Sequence, residues 1–86
     1  MPTLSWFHGI KIQMFWKEHP PPHFHARVAG KTVVIDIRDL SRIVGGLPPD
    51  SMNLVLEWAK QHQVELLEAW DLCSRQEQPK QIAPLP

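Results

Sequence analysis

Two runs of alternating polar and apolar residues face each other across a single glycine in the first half of the chain. In the first run Phe24, Ala26 and Val28 alternate with His23, His25 and Arg27; in the second Val33, Ile35 and Ile37 alternate with Thr32, Val34, Asp36 and Arg38. Successive side chains of a strand point to opposite faces, so this pattern specifies a hairpin with one apolar and one polar face. Its turn lies within Ala29–Lys31, and two registers are open. A two-residue turn at Ala29-Gly30 sets His23 opposite Asp36 and Phe24 opposite Ile35, whereas one at Gly30-Lys31 sets His25 opposite Asp36 and Phe24 opposite Ile37. In both, Asp36 shares the polar face with the two histidines. Directly opposed Cβ atoms are then about 5 Å apart, and His23 and His25 lie about 7 Å apart along their strand. The apolar face has to be covered by another layer, which the rest of the chain must supply.

Upstream, Leu4, Trp6, Ile10, Ile12, Met14 and Trp16 alternate with Ser5, Lys11, Gln13 and Phe15 and predict another hairpin. For Leu4 and Trp6 to share a face with Ile12 and Met14, its turn around His8 and Gly9 must hold an odd number of residues. Pro20, Pro21 and Pro22 cannot donate to a ladder and predict a stiff, extended, exposed connection. Asp39–Gly46 reads as a loop with a short strand at Ile43 and Val44. The Pro48-Pro49 pair, with Asp50 or Ser51 as cap, then opens a helix. Met52, Val55, Leu56, Ala59, Leu66, Leu67 and Trp70 recur at helical spacing, with the polar stretch Lys60–Gln63 as a break point. The expected fold class is α+β: a small antiparallel sheet of about four strands in two hairpins, followed by two amphipathic helices, or one kinked near His62, packed on one face. The expected organisation is a single domain over residues 1–86, with a sheet half at 1–46, a helical half at 47–75 and a tail at 76–86, in which Ile82 and Leu85 are able to dock.

Eighty-six residues allow one domain with a thin stability margin, and four tryptophans help so small a core to close. A lone Cys73 cannot form an intrachain disulfide, no leader pattern follows Met1, and no apolar run approaches the roughly 20 residues of a membrane span. A cytoplasmic, non-membrane protein is expected. The formal net charge is zero, which disfavours a general nucleic-acid binder. The zero hides a division, however: residues 1–46 sum to +3 and residues 47–86 to −3. If the halves form separate layers, the molecule has a cationic and an acidic face.

Chemistry concentrates in the segment His19-Pro20-Pro21-Pro22-His23-Phe24-His25. His23, His25 and Asp36 on one face suit a divalent transition metal such as zinc or iron, because imidazole nitrogen and carboxylate oxygen are usual ligands. His19 is a further candidate ligand, but an extended proline path would carry it about 12 Å from His23, so it would have to fold back. The same His23, His25 and Asp36 could instead work without metal as acid, base and orienting carboxylate, with Arg27 and Arg38 holding a phosphate, a set suited to RNA or phosphodiester cleavage. The plainest alternative is the wet side of a strand carrying an ordinary cross-strand pair. No His-Glu-x-x-His, paired Cys-x-x-Cys, Gly-rich phosphate loop or Ser-His-Asp signature is present. Trp58 and Trp70 read as core, His62 as a helix-end residue and Cys73 as a small apolar filler. Phe15 either covers an edge or marks a partner surface.

The opening Met1-Pro2-Thr3, Gly9, the Glu18-His19 to Pro22-His23-Phe24-His25-Ala26 segment, Ile35-Asp36-Ile37, Val55-Leu56-Glu57-Trp58-Ala59, His62, Glu65-Leu66-Leu67 and Trp70 together resemble a family of small prokaryotic proteins classed as a domain of unknown function. The resemblance covers nearly the whole chain. It implies frequent encoding beside a second small protein, an arrangement that suggests a toxin-antitoxin-like pair, and it directs attention to His19, His23, His25 and Asp36 without assigning them a role. Pro20 departs from the pattern, in which a polar residue is expected. Two functions follow as expectations. The first is an interaction module that binds a small partner protein, with homodimerisation through an uncovered sheet edge equally open; the second is a small metal-dependent or histidine-based hydrolase of RNA or a phosphoester.

Overall fold

A computed structural model describes residues 2–86. Five strands, β1 (Thr3–Phe7), β2 (Ile10–Gln13), β3 (His23–Val28), β4 (Lys31–Asp36) and β5 (Arg42–Gly45), pair antiparallel in chain order as one sheet. Two helices follow, α1 (Pro49–Gln61) and α2 (Gln63–Ser74). The expected α+β class therefore holds, with the short strand at Ile43 and Val44 becoming β5, a fifth member of the sheet.

The second hairpin adopts the first of its two registers. His23 lies opposite Asp36, Phe24 opposite Ile35 and Ala26 opposite Val33. Ala29 and Gly30 form the turn, both at positive φ, a backbone that glycine adopts freely. Phe24, Ala26, Val33, Ile35 and Ile37 are completely buried.

The first hairpin departs from expectation. His8 and Gly9 make a two-residue turn that sets Phe7 opposite Ile10 and Trp6 opposite Lys11. Phe7 therefore faces the core and Trp6 is 62% exposed, the reverse of what simple alternation suggested. A register shift between Thr3 and Ser5 returns Leu4 to the interior. The strand also stops at Gln13, so that Trp16 stands at the surface rather than in line with Ile12 and Met14.

α1 begins with Pro49 at its first turn, behind Pro48, and no side chain caps it; Asp50 lies inside that turn, where its charge favours the helix dipole, instead of at the cap. Val55, Trp58 and Ala59 are its buried residues. The chain breaks at His62, whose N–H donates to the Ala59 carbonyl at 3.0 Å while its own carbonyl accepts from Leu66 at 2.9 Å. Two helices result. On α2, Leu66, Ala69 and Cys73 are buried, whereas Leu67, expected in the stripe, is 41% exposed. The fully buried Trp58 joins helices to sheet through Phe7 at 5.3 Å and Phe24 at 6.1 Å between ring centroids. Cys73 is a buried free thiol that burial pushes above its ordinary pKa, in keeping with an apolar filler.

The last residues return to the sheet. Ile82 N–H donates to the Leu4 carbonyl and the Gln81 amide to the Thr3 carbonyl, both at 2.8 Å, so the chain's own end covers the outer edge of β1. Ile82 is buried and Leu85 half-buried. The other edge strand, β5, is exposed along its whole length. Among the described residues, no helix is long and apolar enough to cross a membrane.

Candidate functional site

His23 and His25 start β3 two residues apart, and strand periodicity puts both on the face opposite Phe24. Pro22 joins the hairpin through its carbonyl, which accepts from Ile37 N–H at 2.9 Å and so fixes where the loop ends. At the loop's other end, Lys17 N–H donates to the Cys73 carbonyl at 3.4 Å, tying it to the end of α2. Between these anchors the proline segment bends, with a cis Pro20–Pro21 peptide, in place of the extended path its composition predicted. Glu18 is thereby brought over the histidines.

The three side chains form a cluster. Glu18 Oε1 is 2.8 Å from His25 Nε2, Glu18 Oε2 is 3.3 Å from His23 Nε2, and one ligand atom from each residue lies within 4.8 Å of the others. Aromatic rings wall both sides: Trp70 of α2 sits 5.0 Å from the His23 ring, and Phe15 sits 4.2 Å from the His25 ring. Burial pushes the Glu18 carboxyl pKa up, but the hydrogen bond from His25 and the neighbouring imidazoles outweigh it and hold the group below the usual value.

His23 Nδ1 is 2.8 Å from the Pro21 carbonyl oxygen, which can only accept, so Nδ1 carries a proton. A neutral His23 then directs its Nε2 lone pair at a carboxylate oxygen. His25, in contrast, can donate to Glu18 from a neutral ring. Gln13 lies directly opposite His25 and is buried, and its Oε1 has no hydrogen-bond partner among the described residues.

The other residues singled out from the sequence stand apart from this cluster. Asp36 is opposite His23 in the ladder, but its carboxylate is held by Arg38, whose Nη2 donates to Oδ2 at 2.8 Å and whose backbone N–H donates to Oδ1 at 2.8 Å. That bonding, chiefly from the guanidinium, keeps the Asp36 pKa low. Arg38 is correspondingly engaged, while Arg27 is exposed and forms no ion pair among the described residues. His19 is exposed and outside the cluster. His62 caps the helix junction, with Nδ1 2.6 Å from Glu65. Glu18 was the residue that sequence reasoning missed. Its only signal was proximity to the His-x-His pair, and an extended proline connection concealed it.

The model of a family described as a domain of unknown function, DUF4160, matches residues 9–71. The chain belongs to this family. The matched span contains the whole cluster, from Phe15 to Trp70, so the site is part of the DUF4160 domain itself. No curated protein and no solved structure matches the chain.

Proposed function

We propose that this chain is a metal-binding interaction module in which Glu18, His23 and His25 hold a divalent transition metal. The observation that carries the reading is His23: with Nδ1 committed to Pro21, its Nε2 is left free among ligand atoms of Glu18 and His25 that all lie within 4.8 Å of one another. A backbone carbonyl behind a ligating imidazole is the usual means of fixing tautomer and ring direction. Ligand atoms of a tetrahedral zinc site lie roughly 3.4 Å apart, a spacing that the three donors can meet with small side-chain adjustments. His25 would exchange its proton between nitrogens to present Nε2. The unpartnered Gln13 oxygen beside His25 also suits the neighbourhood of a cation.

The setting we assign to the module is a two-protein, toxin-antitoxin-like system, with a small partner protein docked at the exposed β5 edge. Ile43 and Val44 there are 46% and 61% exposed, and the unpaired side of a strand is a ready template for another chain.

A hydrolase of RNA or a phosphoester is the second reading, favoured by the number of ligands. Two histidines and one carboxylate leave a coordination position open, and a metal held this way supplies a water acidic enough to act as nucleophile at neutral pH. In that reading Glu18 takes the place first given to Asp36, and Arg27 is the cation free to hold a phosphate.

The deciding experiment is elemental analysis of untagged protein, before and after chelation and reloading with zinc or iron, for the wild type, His23→Ala and Glu18→Ala. Near-stoichiometric metal in the wild type and its loss from both variants support the site. A wild type that neither arrives with metal nor takes it up overturns it.

A further inference from the structure

The histidine-bearing face of the sheet is left uncovered beyond the cluster. By register, Trp6 of β1, Lys11 of β2, Arg27 of β3 and Thr32 of β4 form one row across that face. With neighbouring strands about 4.8 Å apart, Trp6 to Arg27 spans roughly 10 Å. Trp6 is 62% exposed, and Lys11 Nζ sits 4.8 Å from its ring centroid. Neither Lys11 nor Arg27 forms an ion pair among the described residues. These three residues border a shallow, open concavity of about 260 Å³, with the tips of both hairpins at Gly9, Ala29 and Gly30 along its rim.

Such a row asks for a ligand with a flat apolar ring and negative charge a few ångströms away. An acidic peptide offers charge without the ring, and an aliphatic partner offers neither. A nucleotide unit offers both. The zero net charge of the chain is no obstacle: the acidic residues of the second half belong to the helices and tail, and on this face Asp36 is paired with Arg38 and Glu18 with the histidines, while Lys11 and Arg27 form no ion pair among the described residues. Duplex binding draws mainly on many phosphate contacts, whereas two cations beside an accessible indole suit a strand whose bases are free to stack.

We propose that the Trp6–Lys11–Arg27 row binds single-stranded nucleic acid, with a base stacked on the exposed side of Trp6 and flanking phosphates on Lys11 and Arg27. The row shares Arg27 with the hydrolase reading, but none of its residues belongs to the Glu18 cluster, so it does not require a metal.

The test is fluorescence anisotropy of short labelled single-stranded RNA and DNA, and of the matching duplex, with chelator-treated protein at low salt. The wild type should bind the single strands with a dissociation constant of about 100 μM or tighter. Trp6→Ala should weaken binding about tenfold. Affinity should fall with salt with a log–log slope of about −1.4 for two phosphates, and Lys11→Glu/Arg27→Glu should abolish that slope. Trp6 and Arg27 are exposed and Lys11 is half-buried, none of them in the core, so unfolding of these variants is unexpected and a thermal melt checks it. No binding of either single strand overturns the proposal, as does full affinity in Trp6→Ala, tighter binding of the duplex, or equal competition by polyglutamate. Because the protein is chelator-treated, binding at the row is read without metal, so loss of the metal reading and loss of this one are separate results.

Discussion

Trp58 Nε1–H donates to the carbonyl oxygen of Ala83 at 2.8 Å, joining the centre of α1 to a stretch of chain 25 residues further on. The indole is wholly buried, and so are Pro79 and Ile82. The last residues are thus a working part of the core. Deletion of residues 79–86 would uncover the Trp58 donor, the Ile82 pocket and the β1 edge together. We expect that truncation to cost about 3 kcal/mol or more, by analogy with loss of one large core side chain. Trp58→Phe, which removes the donor but keeps much of the volume, should cost less, about 1–2 kcal/mol. Urea denaturation of the three proteins checks the order.

Asp36 and Arg38 predict how stability responds to acid. Hydrogen bonding to Arg38 depresses the Asp36 pKa below its ordinary 3.8. A carboxylate whose folded value lies under its unfolded one stabilises the fold fully above the unfolded value, and the contribution disappears as pH falls through the folded value. The melting-temperature difference between wild type and Asp36→Ala should therefore be largest near neutrality and shrink as the pH is taken below about 4. A difference unchanged at low pH would remove the pair from the account.

Gly45 should resist substitution. It adopts φ +78°, and a Cβ there would collide with the Thr32 carbonyl oxygen, which already accepts from Gly46 N–H at 3.1 Å. Gly45→Ala is expected to destabilise by about 2 kcal/mol and to loosen β5 first. Gly30→Ala, with open space around it, should show only the smaller cost of its positive φ. Hydrogen exchange along β4 and β5 separates local from global loss.

Glu18 distinguishes a metal site from a hydrogen-bonded triad. Glu18→Gln keeps the shape and the ability to bond His25 but gives up a charge and an anionic ligand oxygen. It should retain the melting temperature of the chelated wild type within about 1 kcal/mol equivalent while losing the added stability that metal gives the wild type. A variant stabilised by metal as much as the wild type would show that Glu18 is not a ligand.

The elements legible from sequence were those in which a local pattern and its burial agree. The Phe24–Ile37 hairpin alternates cleanly, so its register fell to one of two possibilities, and the polar Lys60–Gln63 stretch announced the break at His62. Trp6 and Phe7 show where alternation stops being sufficient. Adjacent bulky apolar residues leave the period of two undecided; the two-residue turn at His8-Gly9 decides it, and the register shift that then returns Leu4 to the interior has no side-chain signature. Half of the site was readable for a similar reason. His23 and His25 are fixed by strand geometry, while Glu18 arrives through a bend among prolines whose direction depends on contacts with the distant end of α2. Asp36 was placed on the correct face, yet its carboxylate is satisfied by Arg38, two residues away, before it can reach the histidines.

The tail that covers β1 also sets a ceiling on assembly. A sheet with two free edges can add copies without end, whereas among the described residues this one leaves only the β5 edge uncovered. Two copies joined there would make one continuous ten-stranded sheet with a tail sealing each extremity, and no third copy could extend it. A tail bonded along one border through Gln81 and Ile82 would let edge-to-edge pairing end at two copies instead of running on as a filament.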